Sequence, residues 1–202
     1  MTARRLHRIT AYPVAVFIAL HLANHIALFW GPEAHLAVQS LLRPIYRNPA
    51  VEPLLIAAFA FQIGLGLSLI WQRGWPTRTW PHIQIFSGGI LAFFLMQHIS
   101  ATLFTRWAKP EIDTTIYWAA SVVSRWEFGM YFAPYCTLGI AALFWHVAAT
   151  MARHPVRHTR ATTIGAAGTI FAIALIVTLA GGVFAIALPA PYTAYLDTFW
   201  TL

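Results

Sequence analysis

The sequence predicts an all-α protein that crosses a membrane several times. Of its 202 residues, 59% are hydrophobic and only 9% are charged, whereas a soluble domain averages roughly 25% charged residues. Mean hydropathy is correspondingly high, at +0.64. A membrane-spanning helix needs about 20 mainly apolar residues. Five stretches meet this requirement and predict one transmembrane domain over residues 1–202, with spans at roughly 9–30, 52–72, 82–105, 128–152 and 163–188.

The basic residues between these spans predict an orientation. One face of the bundle receives eight arginines and no acid, whereas the other face receives all six acidic residues. Because basic loops stay in the cytoplasm, we expect a cytoplasmic N-terminus, an external C-terminus and, in a bacterium, an inner-membrane location. The eight arginines are Arg4, Arg5, Arg8, Arg73, Arg78, Arg153, Arg157 and Arg160. Tryptophans near the predicted interfaces fit membrane anchoring: Trp30, Trp71, Trp75, Trp80, Trp107, Trp126 and Trp200.

Several classes of protein are disfavoured by composition and motifs. The net charge of +7 reflects loop arginines, so we do not expect nucleic-acid binding. The single cysteine, Cys136, excludes an internal disulfide and a CxxC metal site. A transporter is disfavoured because the spans lack buried charges at mid-membrane depth. The first apolar run is too long for a signal peptide, so no cleaved leader is expected.

Two spans repeat one pattern that ends in a histidine. Thr10 precedes His21 by eleven residues, and Ser87 precedes His98 by eleven residues. Both spans run in the same direction, so the two imidazoles should lie at matching depth, about 16 Å from the start of the pattern. Imidazoles at one depth on different helices can ligate one iron from two sides or hydrogen-bond neighbouring helices. His25, one turn beyond His21, is expected to support the site or to face the outer rim.

A third span histidine, His146, lies toward the inner half and fits either a ligand or a structural hydrogen bond. Taken together, these fragments resemble the five-helix cytochrome b subunit of succinate dehydrogenases and fumarate reductases. A branch of this superfamily, shared with fungal mitochondrial adaptor proteins of lipid homeostasis, is similar in its HLANH, GPEAH and YRNPAVEP segments. The matching residues are Pro13, Phe17, His21, Leu22 and Asn24 in the first span, Ser87, Gly88 and His98 in the third, and Gly139, Phe144 and His146 in the fourth.

The resemblance implies a haem b held within a four-helix bundle, with His21 and His98 as axial ligands. Two-haem members carry a further histidine on the second helix, where this chain has Gln62. One haem is therefore expected, with His146 as a remnant or as the ligand of an uncertain second site. The resemblance also implies basic partners for the haem propionates, and these are predicted to be Arg43, Arg47 and Arg106.

The implied function is electron transfer between haem and a membrane quinone, as the non-catalytic anchor of flavoprotein and iron–sulfur subunits. The chain has no dinucleotide motif or cysteine cluster, so any substrate chemistry would belong to those partners. The alternative is a non-enzymatic membrane adaptor, with or without haem. Two residue sets are candidates for quinone contact: an inner set of His7, Arg8, Thr10, His82, Gln84 and Ser87, and an outer set of Glu33, His35, Tyr46 and Arg47.

Overall fold

The computed structural model describes residues 2–152 and 154–198, and within them it contains eight α-helices and no strand. Arg153 and Trp200, which were assigned to a basic face and an interface, lie outside the described residues. The helices are α1 (Ala3–Ala27), α2 (Pro32–Tyr46), α3 (Val51–Arg73), α4 (Thr79–Ala108), α5 (Ile116–Ser124), α6 (Trp126–Met151), α7 (His158–Leu179) and α8 (Ala190–Asp197).

Five of these helices are long and apolar enough to cross a membrane: α1 with the turn that follows it, α3, α4, α6 and α7. This confirms the predicted all-α, multi-pass membrane protein. The fifth span differs from its predicted bounds, because α7 begins at His158 and ends at Leu179 rather than near 188. Gly181 adopts a φ of 82° just after α7, and Gly182 N–H donates to the Val177 carbonyl at 2.8 Å. The two glycines therefore end the helix.

The face opposite the N-terminus is built from three shorter helices. The first of them, α2, forms the first loop and carries Arg43 and Tyr46 near its end. The sequence did not predict α5 and α8. Ile116 and Ala120 of α5 are fully buried against α7 and the end of α1, in an apolar cluster. The cluster consists of Leu28, Ile116, Ala120, Val123, Leu175, Ile176 and Leu179.

Glycines allow the later helices to pack closely. A Cβ on Gly168 would lie 2.0 Å from Phe144, and a Cβ on Gly165 would lie 2.4 Å from Trp145. These positions let α7 approach α6, which also packs closely against α4. The other helices follow a different course, since α1 packs mainly on α2 and α3, and α3 in turn reaches α4. As a result, α1 and α4 face each other through side chains.

Several tryptophans are exposed on the long helices, as membrane anchors would be. Trp71 is 91% exposed, Trp107 82% and Trp30 77%. Each lies at or near the end of a long helix. Indole rings favour the boundary between lipid and water, so these positions fit the predicted membrane interfaces.

Candidate functional site: a buried histidine cluster

Four histidines from three helices meet in one region, where His35 is buried and the other three are half-buried. His21 and His25 come from α1, His35 from α2 and His98 from α4. The ring centres of His21 and His98 are 6.1 Å apart, those of His21 and His25 4.6 Å, and those of His25 and His35 5.4 Å. We call these four residues the histidine cluster. The two residues of the predicted pair, His21 and His98, thus lie close together.

Each member of this pair is stacked on a phenylalanine one turn earlier in its own helix. Phe17 lies 5.7 Å from His21 with an interplanar angle of 16°. Phe94 lies 5.2 Å from His98 with an angle of 18°. Stacking on an apolar ring restricts how each imidazole can rotate. The similarity of α1 and α4 therefore extends to the ring geometry, and Phe94 is a site residue that the sequence interpretation missed.

The similarity between α1 and α4 also includes Thr10 and Ser87, which begin the repeated eleven-residue pattern. Thr10 Oγ1 donates to the carbonyls of Leu6 and His7, at 2.9 and 3.5 Å. Ser87 Oγ donates to the carbonyls of Ile83 and Gln84 at 2.6 and 3.4 Å. Both hydroxyls thus return to the preceding turn of their own helix, as short polar side chains in membrane helices commonly do.

His35 joins the cluster through Asn24 of α1. The Asn24 Nδ2 donates to His35 Nε2 at 3.2 Å, and both residues are almost completely buried. The other polar atom of the amide, Asn24 Oδ1, has no hydrogen-bond partner among the described residues. Burial, and then the neighbouring positive charge of Arg43, lower the pKa of His35 to about 4. His35 is consequently neutral at physiological pH.

A neutral cluster suits a low-dielectric site. His25 Nε2 lies 3.2 Å from His21 Nε2, so one ring donates and the other accepts. His25 also faces His35 of α2, so it contacts the first loop. His25 Nδ1 and His35 Nδ1 have no partner in the described chain. The cluster therefore retains unused polar atoms in an apolar surround, where such atoms are costly.

His146 lies away from this cluster, toward the end that carries the N-terminus. Its Nδ1 is 3.4 Å from Ser87 Oγ, its ring packs on Gly88, and it interacts with the backbone of Gln84. Gln62 of α3 makes the matching contact to α1, because its Nε2 donates to the His7 carbonyl at 3.0 Å. His146 and Gln62 thus join neighbouring helices at equivalent positions of the repeated pattern.

The three arginines predicted to bind the haem propionates lie near the face opposite the N-terminus, and each already interacts with another side chain of the protein. Arg43 donates to Asp113 at 2.6 Å, and Arg47 donates to Thr114 Oγ1 at 2.6 Å. Arg106 makes two contacts with Glu52, which join the end of α4 to the start of α3. Burial, followed by the charges of Arg43 and Arg106, lowers the pKa of Arg47. The three guanidinium groups are therefore close enough to act on one another.

The candidate quinone residues are distributed between the two faces. At the inner end, Gly66 leaves room for the His7 ring, Arg73 donates to Gln84, and His82 packs on Trp75. The outer set is not assembled into one site: His35 joins the histidine cluster, whereas Glu33 accepts from Tyr117 of α5 at 3.4 Å. Burial and then the Glu33 carboxylate raise the pKa of Tyr117.

A haem with two axial histidines agrees with the spacing of the pair. A histidine nitrogen binds a first-row metal at about 2 Å, and its ring centre lies about 1.2 Å further away, so two opposed imidazoles have centres about 6.4 Å apart. The observed separation is 6.1 Å. Iron ligation by His21 Nε2 requires that atom to exchange its present contact with His25. The spacing of the two ring centres therefore fits a haem ligand pair, and His21 Nε2 would have to leave its contact with His25.

Comparisons with known proteins add no relative to this picture: no family model, curated protein or solved structure matches the chain. Among the described residues, no group of three or more histidine, cysteine, aspartate or glutamate side chains is arranged to hold a metal ion by itself. The histidine pair and its surroundings are consequently the features of the chain that bear on its function.

Proposed function

We propose that the protein is a cytochrome b-type membrane subunit in which His21 and His98 hold one haem b. A haem ligated in this way carries one electron at a time. The observation that supports the proposal is the 6.1 Å spacing of the two rings, with each ring stacked on a phenylalanine of its own helix. Two neutral imidazoles on helices that face each other are a common axial pair in helical-bundle cytochromes.

The surrounding residues have defined parts in this proposal. Phe17 and Phe94 would fix the orientation of the ligand rings and keep water away from them. The guanidinium groups of Arg43, Arg47 and Arg106 would be shared between their present protein partners and the haem propionates. His25 would release His21 Nε2 from their present contact and remain beside it without serving as a ligand. His146 and Gln62 would hold the helices together, which favours one haem over two.

The proposed electron partners are a membrane quinone and the flavoprotein and iron–sulfur subunits of the succinate dehydrogenase or fumarate reductase type. These subunits would dock on the face of the N-terminus, which carries the eight loop arginines. The chain would then be the membrane anchor and electron-transfer subunit of that complex. The charge bias of the loops supports an N-terminus in the cytoplasm of a bacterium, with the complex assembled on that side of the inner membrane.

The proposal is tested by haem content and absorption spectra of four single variants: H21A, H98A, H25A and H146A. Wild-type protein should contain one haem per chain with a low-spin spectrum. H21A and H98A should lose the haem or the low-spin spectrum, because each removes an axial nitrogen. H25A and H146A should keep both. Loss of the low-spin signal in H25A with retention in H21A would move the ligand by one helical turn.

A non-enzymatic adaptor is the second candidate, and one observation favours it. The Nε2 atoms of His21 and His25 form one hydrogen bond with each other, and Asn24 donates to His35 Nε2, so part of the cluster is stabilised without a metal. An adaptor of this kind would need the cluster only to connect α1 and α2. Absence of haem from wild-type protein produced with ample haem supply would favour this function over electron transfer.

A further inference from the structure

Two hydrogen-bonded polar side chains lie on the membrane-facing surface of α4 and α6. The Tyr131 hydroxyl of α6 donates to Gln97 Oε1 of α4 at 2.6 Å, and this contact lies at the protein surface. Tyr131 is 47% exposed, and Gln97 is half-buried. Because both helices are long and apolar enough to cross a membrane, the Gln97 amide faces lipid.

The N–H donors of this amide have no acceptor. Gln97 Nε2 makes no hydrogen bond to any other described residue. By contrast, two glutamines of α3 use their Nε2 atoms: Gln62 donates to the His7 carbonyl at 3.0 Å, and Gln72 donates to Ser68 Oγ at 2.8 Å. An unpaired polar group in hydrocarbon is costly. The Gln97 amide therefore requires an acceptor from another molecule.

The depth of Gln97 limits what that molecule can be. Gln97 lies nine residues before Arg106, near the end of α4, which is about 13 Å along the helix axis. The hydrocarbon core of a bilayer is about 30 Å thick, and phospholipid headgroups lie outside it. Gln97 is therefore close to the middle of the bilayer, where acyl chains supply no acceptor. Another transmembrane helix can supply one.

Gln97 belongs to a row of surface positions on α4 that recur at alternating intervals of four and three residues. We call this row the α4 seam, and it consists of Phe86, Ile90, Phe93, Gln97, Ser100 and Phe104. Its four apolar side chains are between 38% and 60% exposed, and Ser100 is exposed. An average interval of 3.5 residues is typical of helices that pack along each other in a left-handed coiled coil. The seam therefore suits a partner helix that runs alongside α4.

The chemistry of the seam favours a second copy of this chain as the partner. In a two-fold dimer each copy contributes the same patch, so the patch must be complementary to itself. A primary amide both donates and accepts hydrogen bonds. Two chains with the same topology place their Gln97 side chains at the same depth, where each amide can donate to the other.

A groove beside the seam leaves room for side chains of a partner. It has a volume of about 490 Å³ and lies between α4 and α6, with Phe93 and Tyr131 among its lining residues. A cavity of about 150 Å³ is enough for a benzene molecule. An aromatic side chain of a second copy therefore fits the groove.

We propose that two copies of the chain associate in the membrane through the α4 seam, with Gln97 of each copy donating to Gln97 of the other. The interface does not depend on the haem proposal, because its residues pair without a cofactor. Phe94 lines the groove and is stacked on His98. The second copy would therefore cover the ring that supports one proposed ligand of the iron.

Dimerisation is tested by energy transfer between donor-labelled and acceptor-labelled full chains in phosphatidylcholine vesicles at several protein-to-lipid ratios. The wild-type chain should associate, and Q97L should raise the dissociation constant about tenfold, because interhelical hydrogen bonds of amides stabilise membrane dimers by this order. Q72L is the matched control, since Gln72 already donates within its own helix. It should leave the dissociation constant unchanged.

Cysteine cross-linking tests the geometry without changing Gln97. In a C136S background, S100C should form disulfide-linked dimers with a membrane-permeant oxidant, because seam positions of two parallel helices face each other at disulfide distance. I173C on α7, which is 51% exposed, should not. The vesicles contain no other protein, so a monomer at every ratio would overturn the proposal and assign the amide to a helix of another protein.

Equal dissociation constants for Q97L and wild type, or equal cross-linking of S100C and I173C, would also overturn the proposal. Haem content measured on the same vesicles keeps these outcomes separate from that of the electron-transfer proposal.

Discussion

Replacing Gly139 of α6 by alanine should disturb His98 through the phenylalanine that lies between them in the packing. A Cβ at this position would lie 2.2 Å from Phe94 Cγ and Cδ2, whereas carbon atoms in contact prefer about 3.5–4.0 Å. The Phe94 ring must therefore move by more than about 1 Å. Because that ring is stacked on His98, the imidazole loses its present support.

The size of the effect follows from two opposing contributions. Overpacking of a tight site costs about 1–3 kcal/mol, and the large overlap at Gly139 places it near the upper limit. Alanine recovers up to about 1 kcal/mol because it favours the helix more than glycine does. The net loss of about 2 kcal/mol corresponds to a fall in thermal midpoint of about 4–8 °C for a chain of this length.

Thermal unfolding in detergent, followed by circular dichroism, measures this effect. Gly89→Ala on α4 is the matched control, because a Cβ there meets no atom within 4 Å; its midpoint should stay the same or rise. Haem spectra of the Gly139→Ala protein should also change if His98 is a ligand. Equal midpoints for the two variants would refute the argument from Phe94 packing.

Two further predictions concern the first loop. Burial lowers the pKa of His35 to about 4, below its usual value of about 6.5. Above pH 6.5 the neutral ring therefore contributes at most about 3 kcal/mol to the stability of the fold, and this contribution is lost as pH falls toward 4. The H35Q variant should lose less stability over that pH range, and parallel unfolding profiles would contradict this. In a C136S background, an impermeant thiol reagent should label S40C in intact cells, since Ser40 is exposed, whereas Q39C should react poorly because Gln39 is buried. Labelling of S40C only after lysis would reverse the orientation.

The five long helices could be predicted because span length and apolar composition are local properties of the sequence. The pairing of His21 and His98 could also be anticipated, since equal spacing on two spans of the same direction places side chains at one depth. The end of α7 could not be predicted, because the apolar run continues beyond Gly181. Hydropathy alone does not report a left-handed backbone conformation.

The site is harder to predict where distant segments meet. His35 reaches the cluster because α2 folds back along α1, and no periodicity in the sequence encodes that direction. The contacts of Arg43 with Asp113 and of Arg106 with Glu52 join residues far apart in the chain. The phenylalanine four residues before His98 was available in the sequence as a repeat of the Phe17–His21 spacing, and that signal could have identified Phe94.

The electron paramagnetic resonance spectrum of the oxidised wild-type protein tests the central claim most directly. Two imidazole ligands to one haem iron give a low-spin ferric signal. The account predicts this low-spin signal for the wild-type protein. A high-spin signal or no haem signal would contradict the assignment of His21 and His98 as the axial pair.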